Sequence, residues 1–549
     1  MTNADTATRT GRPSRTASAA SGLLAGAAAL ATGELFGGFV AKWQSPVVSV
    51  AEAVIDSVPR PVKDFAIETF GEDDKIALVV GILVFSVIFS AVLGIVGRRR
   101  PVAAASGFGV FALVGAWASQ RFSGSTLDAV IPSLMAGVAG AGAVIALLRL
   151  AAGTTVAAPT AEDQPTLIDE AELGSADAMA GGTPTSPTPP TTATAQPTRR
   201  RFLIVSAAVA GFAAIATTAG RALRSRFDAT SSRNAVTLPT VAEPLAAAPT
   251  TVAVTAPGVS PFYTPNADFY RVDTALEVPQ VPTEGWTLKV TGMVDKPLSL
   301  TFDDLLARNL VEEDITLTCV SNTVGGKLVG TARWLGLPLR ELLDEAGVQA
   351  GADQIVGHSI DDYTAGFPVS AAYDRPALIA IGMNGEPLPI EHGFPARLMV
   401  PGLYGYVSAT KWLTEIQLTR FADFDQYWVE RGWDQQAPIK TMSRIDAPRT
   451  LGKIAAGPFA IGGVAWAQTI GISKVEVAID GDDFVEADLA DELNENTWRQ
   501  WSMTWDATPG RHRITVRATD ADGTLQTDQR AEPFPNGASG WMSIFVDVT

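Results

Sequence analysis

Leu317-Thr318-Cys319-Val320-Ser321-Asn322 is the most informative segment of this 549-residue chain, because it carries the one cysteine. Cys319 ends a strand-like run and precedes the glycine pair Gly325-Gly326. A lone cysteine is most often a small buried hydrophobic residue. Its thiolate is also a soft, electron-rich ligand that suits a high-valent metal. A single cysteine excludes intrachain disulfides and any four-cysteine zinc or iron–sulfur site.

The residues around and after Cys319 form an ordered series of motifs. They are 314–343, Met383-Asn384-Gly385-Glu386-Pro387-Leu388-Pro389, Glu391-His392-Gly393-Phe394-Pro395-Ala396-Arg397, Val400-Pro401-Gly402 and Lys411-Trp412-Leu413. In this order they resemble the sulfite oxidase family, over roughly residues 260–549. The resemblance implies a mixed α/β domain that binds molybdenum-molybdopterin, a molybdenum ion held by one pterin dithiolene. Cys319 would then be the protein's ligand to the metal, because the pterin brings two sulfurs of its own.

The resemblance also implies a cofactor pocket. The residues expected to bind the cofactor are Asn266, Phe269, Tyr270, Cys319, Asp361, His392, Arg397 and Lys411. The first three resemble contacts of the periplasmic methionine sulfoxide reductase branch. A pterin that ends in a phosphate or nucleotide needs cations and hydrogen-bond donors, which His392, Arg397 and Lys411 would supply. Each of these three alone could be a surface or turn residue, and their order in one block favours the cofactor.

The substrate pocket departs from the family pattern. Arg271 and Trp334 match substrate-pocket positions, but Val324 stands where sulfite oxidases carry an arginine that binds the anionic substrate. Trp433 stands where an active-site tyrosine is expected. A pocket that lacks a bidentate cation binds a small dianion less well. We expect Cys319, Arg271, Trp334 and Trp433 to form the catalytic site, and the substrate need not be sulfite.

Three functions remain compatible with these residues. The first is two-electron oxygen-atom transfer on a small oxo-substrate, as in sulfite oxidases, with electrons exchanged with a separate partner. The second uses the same site to reduce sulfoxides. The third is a cofactor-free extracellular adhesion or scaffold module, because a fold does not fix a function.

Composition excludes two other classes of ligand. The net charge of −17 and the pI near 4.7 would repel phosphate backbones, so no nucleic acid partner is expected. The histidines are His358, His392 and His512, all beyond the apolar N-terminal segments. Those segments therefore offer no paired imidazoles, and we expect no haem.

Long apolar segments precede the motifs. They lie at about 21–41, 76–97, 104–120, 127–149 and 202–220, each close to the roughly 20 residues that span a bilayer. The first contains Glu34, so whether it spans fully is open. Arginines at 9–15, 98–100 and 199–201 predict cytoplasmic positions. We therefore expect contact with membrane lipid, a multi-pass protein of the cell membrane and an extracytoplasmic catalytic domain.

The predicted fold class is multi-domain, with a transmembrane α-helical region, a mixed α/β sulfite-oxidase-type molybdopterin domain and a C-terminal immunoglobulin-like β-sandwich. The predicted boundaries are a cytoplasmic tail at 1–20, a four-helix transmembrane region at 21–150, a disordered linker at 151–198, a fifth transmembrane helix with a twin-arginine-like motif at 199–222, a second linker at 223–258, the catalytic domain at 259–450 and the β-sandwich at 451–549. The first linker is rich in Ser, Thr and Pro, which cannot bury a core.

Local patterns predict individual elements of the C-terminal half. Leu339, Leu342 and Leu343 recur at helical spacing and predict a helix over 335–346. Alternating apolar residues at 475–479 and 514–518 predict strands of the sandwich. A homodimer through this region is possible, and its tryptophans could line either the dimer face or the core. They are Trp466, Trp498, Trp501, Trp505 and Trp541.

Overall fold

The computed structural model describes residues 12–40, 42–59, 62, 65, 69–70, 74–121, 126–152 and 196–549. The chain divides into two units, Met1–Arg226 and Phe227–Thr549. The predicted disordered linker falls almost wholly at 153–195, outside the described residues, as do the first eleven residues of the predicted cytoplasmic tail.

Helices make up the described part of the N-terminal unit. They are α1 (Arg15–Gly37), α2 (Pro46–Ser57), α3 (Asp74–Gly97), α4 (Pro101–Ser119), α5 (Ile131–Ala152) and α6 (Gln196–Arg224). By length and composition, five described segments could cross a membrane. They are Arg15–Gly37, Lys75–Gly97, Pro101–Ser119, Leu127–Ala152 and Arg200–Ala235. Each predicted apolar segment overlaps one of these helices, so the segments are helical, and that they span a membrane stays a prediction.

Small residues let these helices pack closely. α1 and α3 approach each other at Gly22 and Gly94, where an added Cβ would collide with the backbone of the facing helix. Gly137 of α5 faces α4, where an added Cβ would collide with the Ala112 Cβ. Such contacts are typical of helix pairs in membranes, where close backbone approach replaces the hydrophobic effect.

None of the sequence patterns above predicts α2. Its start is nevertheless encoded locally, because the Ser45 hydroxyl accepts the Val48 N–H at 3.4 Å. Pro46 occupies the first helical position, where a missing N–H leaves no helical hydrogen bond unmade.

Two sheets form the middle of the second unit. The strands are β1 (Thr287–Gly292), β2 (Leu298–Thr301), β3 (Val311–Thr318), β4 (Val329–Pro338), β5 (Gln354–Ser359), β6 (Thr364–Pro368), β7 (Leu378–Met383), β8 (Glu386–Pro387), β9 (Arg397–Met399) and β10 (Leu413–Thr419). One sheet has the order β2-β1-β10-β5-β6, and the other has the order β3-β4-β7-β8 with β9 paired to β7. The helices of this part are α7 (Thr230–Ala235), α8 (Phe302–Leu306), α9 (Leu339–Ala346), α10 (Val369–Asp374) and α11 (Gly405–Ser408).

The prediction of a helix over 335–346 is wrong at its start. Residues 335–338 end strand β4, where Leu335 pairs with Glu312 on one side and Gly382 on the other. Backbone pairing with the neighbouring strands decides the conformation of 335–338, whereas the leucines that predicted the helix lie in the helix that follows. The helix begins at Leu339 and stops at Gly347, whose φ of +68° suits glycine.

Two further sheets form the C-terminal region. Their strands are β11 (Met442–Ala447), β12 (Gly452–Ile454), β13 (Gly457–Trp466), β14 (Ile472–Ile479), β15 (Val485–Glu486), β16 (Asp488–Leu489), β17 (Arg499–Ala507), β18 (Gly510–Asp520) and β19 (Met542–Val548). The sheets have the orders β11-β13-β17-β16 and β12-β19-β18-β14-β15. Ile461 and Trp501 from one sheet share a core with Val475 and Ile514 from the other. The two predicted strands are confirmed, and the first sheet begins at Met442, ahead of the predicted boundary.

The tryptophans of this region mostly belong to the core. Trp466, Trp498 and Trp501 are fully buried, while Trp505 is partly buried against the shared core. Trp541 is also partly buried, and its indole N–H donates to the Gln526 carbonyl at 2.8 Å. A dimer face in this region would therefore draw on other residues.

Most of the predicted second linker belongs to the second unit, Phe227–Thr549. Val236, Leu238 and Val241 pack against the core of the central sheets. Arg233 forms an ion pair with Glu386 at 2.9 Å. Residues 227–258 are therefore held on the domain by both apolar and charged contacts.

Candidate functional site

Cys319 lies in a tight turn that directly follows strand β3. Its N–H donates to the Leu328 carbonyl at 3.0 Å, and its own carbonyl accepts the Asn322 N–H at 3.1 Å. The Asn322 side chain accepts the Leu328 N–H at 2.9 Å and so closes the turn. Gly325 has a φ of +80°, which a residue with a Cβ rarely adopts. The β3–β4 hairpin thus fixes the position of the thiol.

The surroundings of Cys319 are polar as well as buried. The residue is 7% exposed. Burial raises the pKa of its thiol, and hydrogen bonds from Ser321 lower it by a smaller amount. Burial also raises the pKa of three nearby tyrosines, and the proximity of Cys319 adds to the rise. They are Tyr270, Tyr363 and Tyr404. Three phenol groups near one thiol are hydrogen-bonding groups, unlike the apolar packing expected around a purely structural cysteine.

Arg397 is a buried cation. It begins strand β9, is 3% exposed, and donates from Nη1 to the His392 carbonyl at 3.0 Å. Its Nε is buried with no hydrogen-bond partner, and among the described residues no carboxylate lies within ion-pair distance of it. The Trp334 ring stacks under the guanidinium at 5.1 Å. Burial lowers the pKa of Arg397 to about 10. A buried, uncompensated cation is unfavourable unless an anion joins it, so the pocket suits an anionic ligand.

His392 contacts residues 266 and 269 and so places them beside Arg397. Its Nε2 donates to the Asn266 carbonyl at 3.1 Å. The Phe269 ring meets His392 edge-on at 5.6 Å and Trp334 edge-on at 5.8 Å. Gly330 allows this packing, because a Cβ there would lie 2.9 Å from the Phe269 ring. The structure therefore brings Asn266, Phe269 and His392 together, as predicted.

Lys411 and Arg271 share a carboxylate that the sequence patterns do not reveal. Asp273 accepts from Lys411 Nζ at 2.9 Å and from Arg271 Nε at 2.7 Å, both at Oδ2. Burial lowers the pKa of Lys411 to about 8, and the charge of Asp273 opposes that shift. Asp361 lies within electrostatic reach of Lys411 and Asp273, and burial raises its pKa. Lys411, Arg271 and Asp361 thus form one charged group around Asp273.

Trp334 and Trp433 occupy different surroundings from one another. Trp334 is fully buried in strand β4, and its indole N–H donates to the Ile315 carbonyl at 3.3 Å. Trp334 therefore packs against Phe269 and Arg397 from the interior of the domain. Trp433 packs with Tyr406, Trp428 and Phe534 at ring distances between 5.4 and 6.1 Å.

Two tyrosines near Cys319 escape sequence reasoning. Tyr363 donates to the Tyr406 carbonyl at 2.7 Å, and the Tyr404 hydroxyl accepts the Lys440 N–H at 3.5 Å. Tyr363 follows Asp361 by two residues, so the motif around Asp361 offered a local signal for it. Asp273 similarly stands two residues after Arg271. Tyr404 likewise stands two residues after the motif Val400-Pro401-Gly402, but its nearness to Cys319 depends on the tertiary fold.

Because Gly393 has no side chain, the backbone at this position lies close to Lys411 and Arg397. The substitution Gly393→Ala tests this role. Gly393 has a φ of +112°, and a Cβ there would lie 3.0 Å from Lys411 and 3.2 Å from Arg397. Gly385 has a φ of +83° with open space around it. We expect Gly385→Ala to lower the free energy of unfolding by about 1–2 kcal/mol through backbone strain alone. Gly393→Ala should cost more and also weaken cofactor retention, as measured by denaturant titration and released pterin. Equal effects of the two variants would contradict this steric role.

The buried histidine predicts a specific pH dependence. Burial and the charge of Arg397 lower the pKa of His392 to about 4 from 6.5. Between these two pH values the unfolded chain binds a proton on this histidine and the folded chain does not, so stability falls as the pH falls. The loss amounts to about 3 kcal/mol at pH 4 and is absent above pH 6.5.

Comparison with His392→Gln isolates this contribution from those of other groups. Unfolding can be followed by tryptophan fluorescence, because only Trp43 and Trp117 of the twelve tryptophans lie before residue 227. The variant should lose less stability than the wild type between pH 6.5 and 4. Parallel curves for the two proteins would contradict the assignment of a buried neutral histidine.

Comparisons with known proteins show which family the chain resembles. Residues 275–428 match the oxidoreductase molybdopterin binding domain family. The oxidoreductase YuiH of Bacillus subtilis is 34% identical over 148 residues, covering 27% of this chain and 72% of YuiH. Human mitochondrial sulfite oxidase is 27% identical over 317 residues, covering 49% of this chain and 58% of that protein. Among solved structures, the sulfane dehydrogenase SoxCD from Paracoccus pantotrophus has a TM-score of 0.48 and 22% identity, over 56% of this chain and 87% of that chain.

The matched region contains Cys319, Asp361, His392, Arg397 and Lys411. The chain spans 58–62% of the length of the mammalian sulfite oxidases that it matches. The order of the motifs, the family match and the similarity to YuiH lead to one conclusion: the chain belongs to the sulfite oxidase family of molybdopterin-binding oxidoreductases.

Proposed function

We propose that this protein is a membrane-anchored molybdenum-pterin oxidoreductase that transfers an oxygen atom to or from a small oxo-substrate, with Cys319 as its ligand to the metal. The buried and unpaired Arg397 is the observation that carries the proposal. Cys319 raises and Arg397 lowers the pKa of Tyr270 through their charges, so both groups lie near this tyrosine. A soft sulfur and an uncompensated cation therefore both lie near one partly buried tyrosine, as an anionic metallocofactor requires.

The residues of the pocket fit a pterin with a negatively charged tail. Arg397 and Lys411 would pair with the negative groups, and His392 is positioned by its bond to Asn266. Trp334 supports the Arg397 guanidinium from behind. When bound, the molybdenum centre supplies two-electron redox chemistry coupled to oxygen transfer. The protein supplies the metal-binding sulfur, orients the pterin and shapes the approach of the substrate.

Tyr270 suits the substrate side of this arrangement. Burial and the neighbouring thiol raise the pKa of its phenol well above the usual value, so it stays protonated at neutral pH and can donate a hydrogen bond to a substrate oxygen. The O–H of Tyr363 is already donated to the Tyr406 carbonyl, so Tyr363 supports the site and does not bind the substrate oxygen. Arg271 adds a partly exposed guanidinium, and Trp433 contributes an aromatic wall through its contact with Tyr406.

A second candidate, a sulfoxide reductase using the same site, is favoured by the surroundings of Val324. Val324 packs against an apolar cluster that includes Phe262, Trp466 and Trp498. The position that carries a substrate-binding arginine in sulfite oxidases thus contributes to the core here. Because a neutral substrate needs no such cation, the absence of the arginine weakens the binding of sulfite more than that of a sulfoxide. The cofactor-free scaffold is not supported, because the chain belongs to a family of oxidoreductases.

The membrane anchor and the partners belong to the same proposal. α3 exposes a band of large apolar side chains, among them Val84, Phe85 and Ile88, which lipid would cover. The arginine clusters would place the catalytic unit on the extracytoplasmic side, with a separate protein exchanging electrons. A homodimer through an immunoglobulin-like C-terminal region and the expected lack of haem remain predictions.

Metal analysis combined with two assays tests the proposed function. The full chain is purified in detergent from a host that makes molybdopterin. We expect about one molybdenum per chain, and turnover with either sulfite plus an electron acceptor or methionine sulfoxide plus a reduced dye. Turnover of sulfite alone would exclude the reductase, and turnover of the sulfoxide alone would exclude the oxidase. Protein with the pterin but neither activity would refute oxygen transfer on these substrates.

A further inference from the structure

Asp273 is the carboxylate at the centre of the charged group beside the pocket. Its side chain is 3% exposed, whereas that of Arg271 is 40% exposed. Besides the 2.7 Å bond from Nε to Oδ2, Arg271 Nη2 lies 3.5 Å from Asp273 Oδ1. The carboxylate therefore meets one edge of the Arg271 guanidinium with both of its oxygens. The Arg271 side chain as a whole is partly exposed to solvent.

The same carboxylate is anchored from the pocket side. Lys411 Nζ bonds to Asp273 Oδ2 at 2.9 Å and to the Glu391 carbonyl at 3.2 Å. Lys411 also lies over the Trp412 ring at 4.5 Å. Because Lys411 is held by these additional contacts, Asp273 has little freedom to turn away from Arg271 when a ligand arrives.

This geometry has a consequence for the charge that a substrate meets. An arginine binds a small oxyanion most strongly when a whole edge of its guanidinium is free to donate two parallel bonds. One edge of Arg271 is already occupied by a carboxylate, whose single negative charge is shared between Arg271 and Lys411 and so offsets part of the guanidinium charge. An incoming anion would meet Asp273 as well as Arg271, whereas an uncharged oxo group would meet no such repulsion.

We propose that Asp273 is a specificity-determining residue that occupies Arg271 and thereby tunes the mouth of the pocket to uncharged oxo-substrates. The proposal rests on the proposed function and narrows it to a substrate class. Arg271 is held as an oriented donor for a neutral S=O or N–O oxygen. Asp273 acts on the substrate through Arg271, while the bond to Lys411 fixes its position.

The test replaces Asp273 with asparagine in the full chain loaded with cofactor. Asparagine keeps an oxygen that can accept from Lys411, but it removes the negative charge beside Arg271. Sulfate is the probe, because it is a redox-inert oxyanion whose binding can be measured by calorimetry without turnover. We expect Asp273→Asn to bind sulfate roughly tenfold more tightly than the wild type, an effect of the order expected for one partly screened charge.

Two further variants make the result specific. Glu476 in the C-terminal sheets is a matched control, because it also bridges a lysine and an arginine, Lys474 at 3.3 Å and Arg517 at 3.0 Å. Glu476→Gln should leave sulfate binding unchanged. The double variant Asp273→Asn with Arg271→Gln should lose the gain in sulfate affinity, because the gain depends on the released guanidinium.

The outcomes separate this inference from the proposed function. Sulfate binding by Asp273→Asn no tighter than by the wild type would overturn the inference, as would a gain that persists without Arg271. Pterin content, measured on the same samples, shows whether the pocket is loaded. A preparation of wild type that never acquires pterin or molybdenum would refute the proposed function, which is a different result from unchanged anion affinity in loaded protein.

Discussion

Replacing Cys319 with serine is expected to abolish turnover while leaving the pterin in place. The reduction in kcat should exceed the roughly 10–100-fold that changes around the ligands of a metal site typically cause, because the substitution removes the protein's own ligand. A hydroxyl is a harder and poorer donor than a thiolate for such a metal. The pterin should remain near the wild-type level, since Arg397, Lys411 and His392 are unchanged. Released pterin and kcat are measured on the same preparation.

Val320→Ala provides the control for this prediction. Val320 is the next residue in the turn and packs in the core of the central sheets. Its truncation disturbs local packing but keeps the thiol, so most of the turnover should survive in the folded fraction. Activity of Cys319→Ser within tenfold of the wild type would show that the thiol is a packing residue and not a metal ligand.

Replacing Arg397 with methionine is expected to have opposite effects on the empty and the loaded protein. Without cofactor, Arg397 is a buried cation with an unpartnered Nε. Exchange for an apolar side chain of similar length should raise the free energy of unfolding by about 1–3 kcal/mol, because it removes a desolvated charge. With cofactor, the same exchange removes the cation that pairs with its negative group. Retention of the pterin on dilution should then fall by roughly 100-fold or more, since charge-assisted bonds are the strong ones.

Arg333→Met is the matched control for this prediction. Arg333 also lies in the catalytic unit, but it pairs with the buried Asp314 at 2.8 Å. Removing it leaves that carboxylate uncompensated and should lower the free energy of unfolding by about 3–5 kcal/mol. Denaturant titration of both variants without cofactor gives the comparison. A large loss of stability in cofactor-free Arg397→Met would mean that the arginine is a structural residue.

Sequence reasoning identified residues that lie close together where one ordered block carries the information, and their role in binding the cofactor stays a prediction. His392, Arg397 and Lys411 fall within twenty residues of one another, and the backbone itself brings them together. The Arg397 Nη1 bond to the His392 carbonyl spans only five residues. The apolar segments succeeded for a similar reason, because about twenty consecutive apolar residues have few other possible structures.

Sequence reasoning failed where the tertiary fold decides. Residues 335–338 fall within the predicted helix but continue strand β4, with 335 and 336 paired on both sides and 337 and 338 paired with β7. The contact of Asp273 with Lys411 spans 138 residues, and no local pattern indicates it. Trp334 matched a substrate-pocket position in the linear pattern, yet in the structure it lies fully buried under Arg397. Charged partners and the depth of a side chain are properties of packing, and short motifs do not encode them.

X-ray absorption at the molybdenum edge tests the central claim most directly, because it counts the sulfur atoms bound to the metal. The wild-type chain, matured in a cofactor-producing host, should show three sulfur ligands, two from the pterin and one from Cys319. Cys319→Ser should show two. Two sulfurs in the wild type, or the same count in both proteins, would contradict the assignment of Cys319 as the metal ligand.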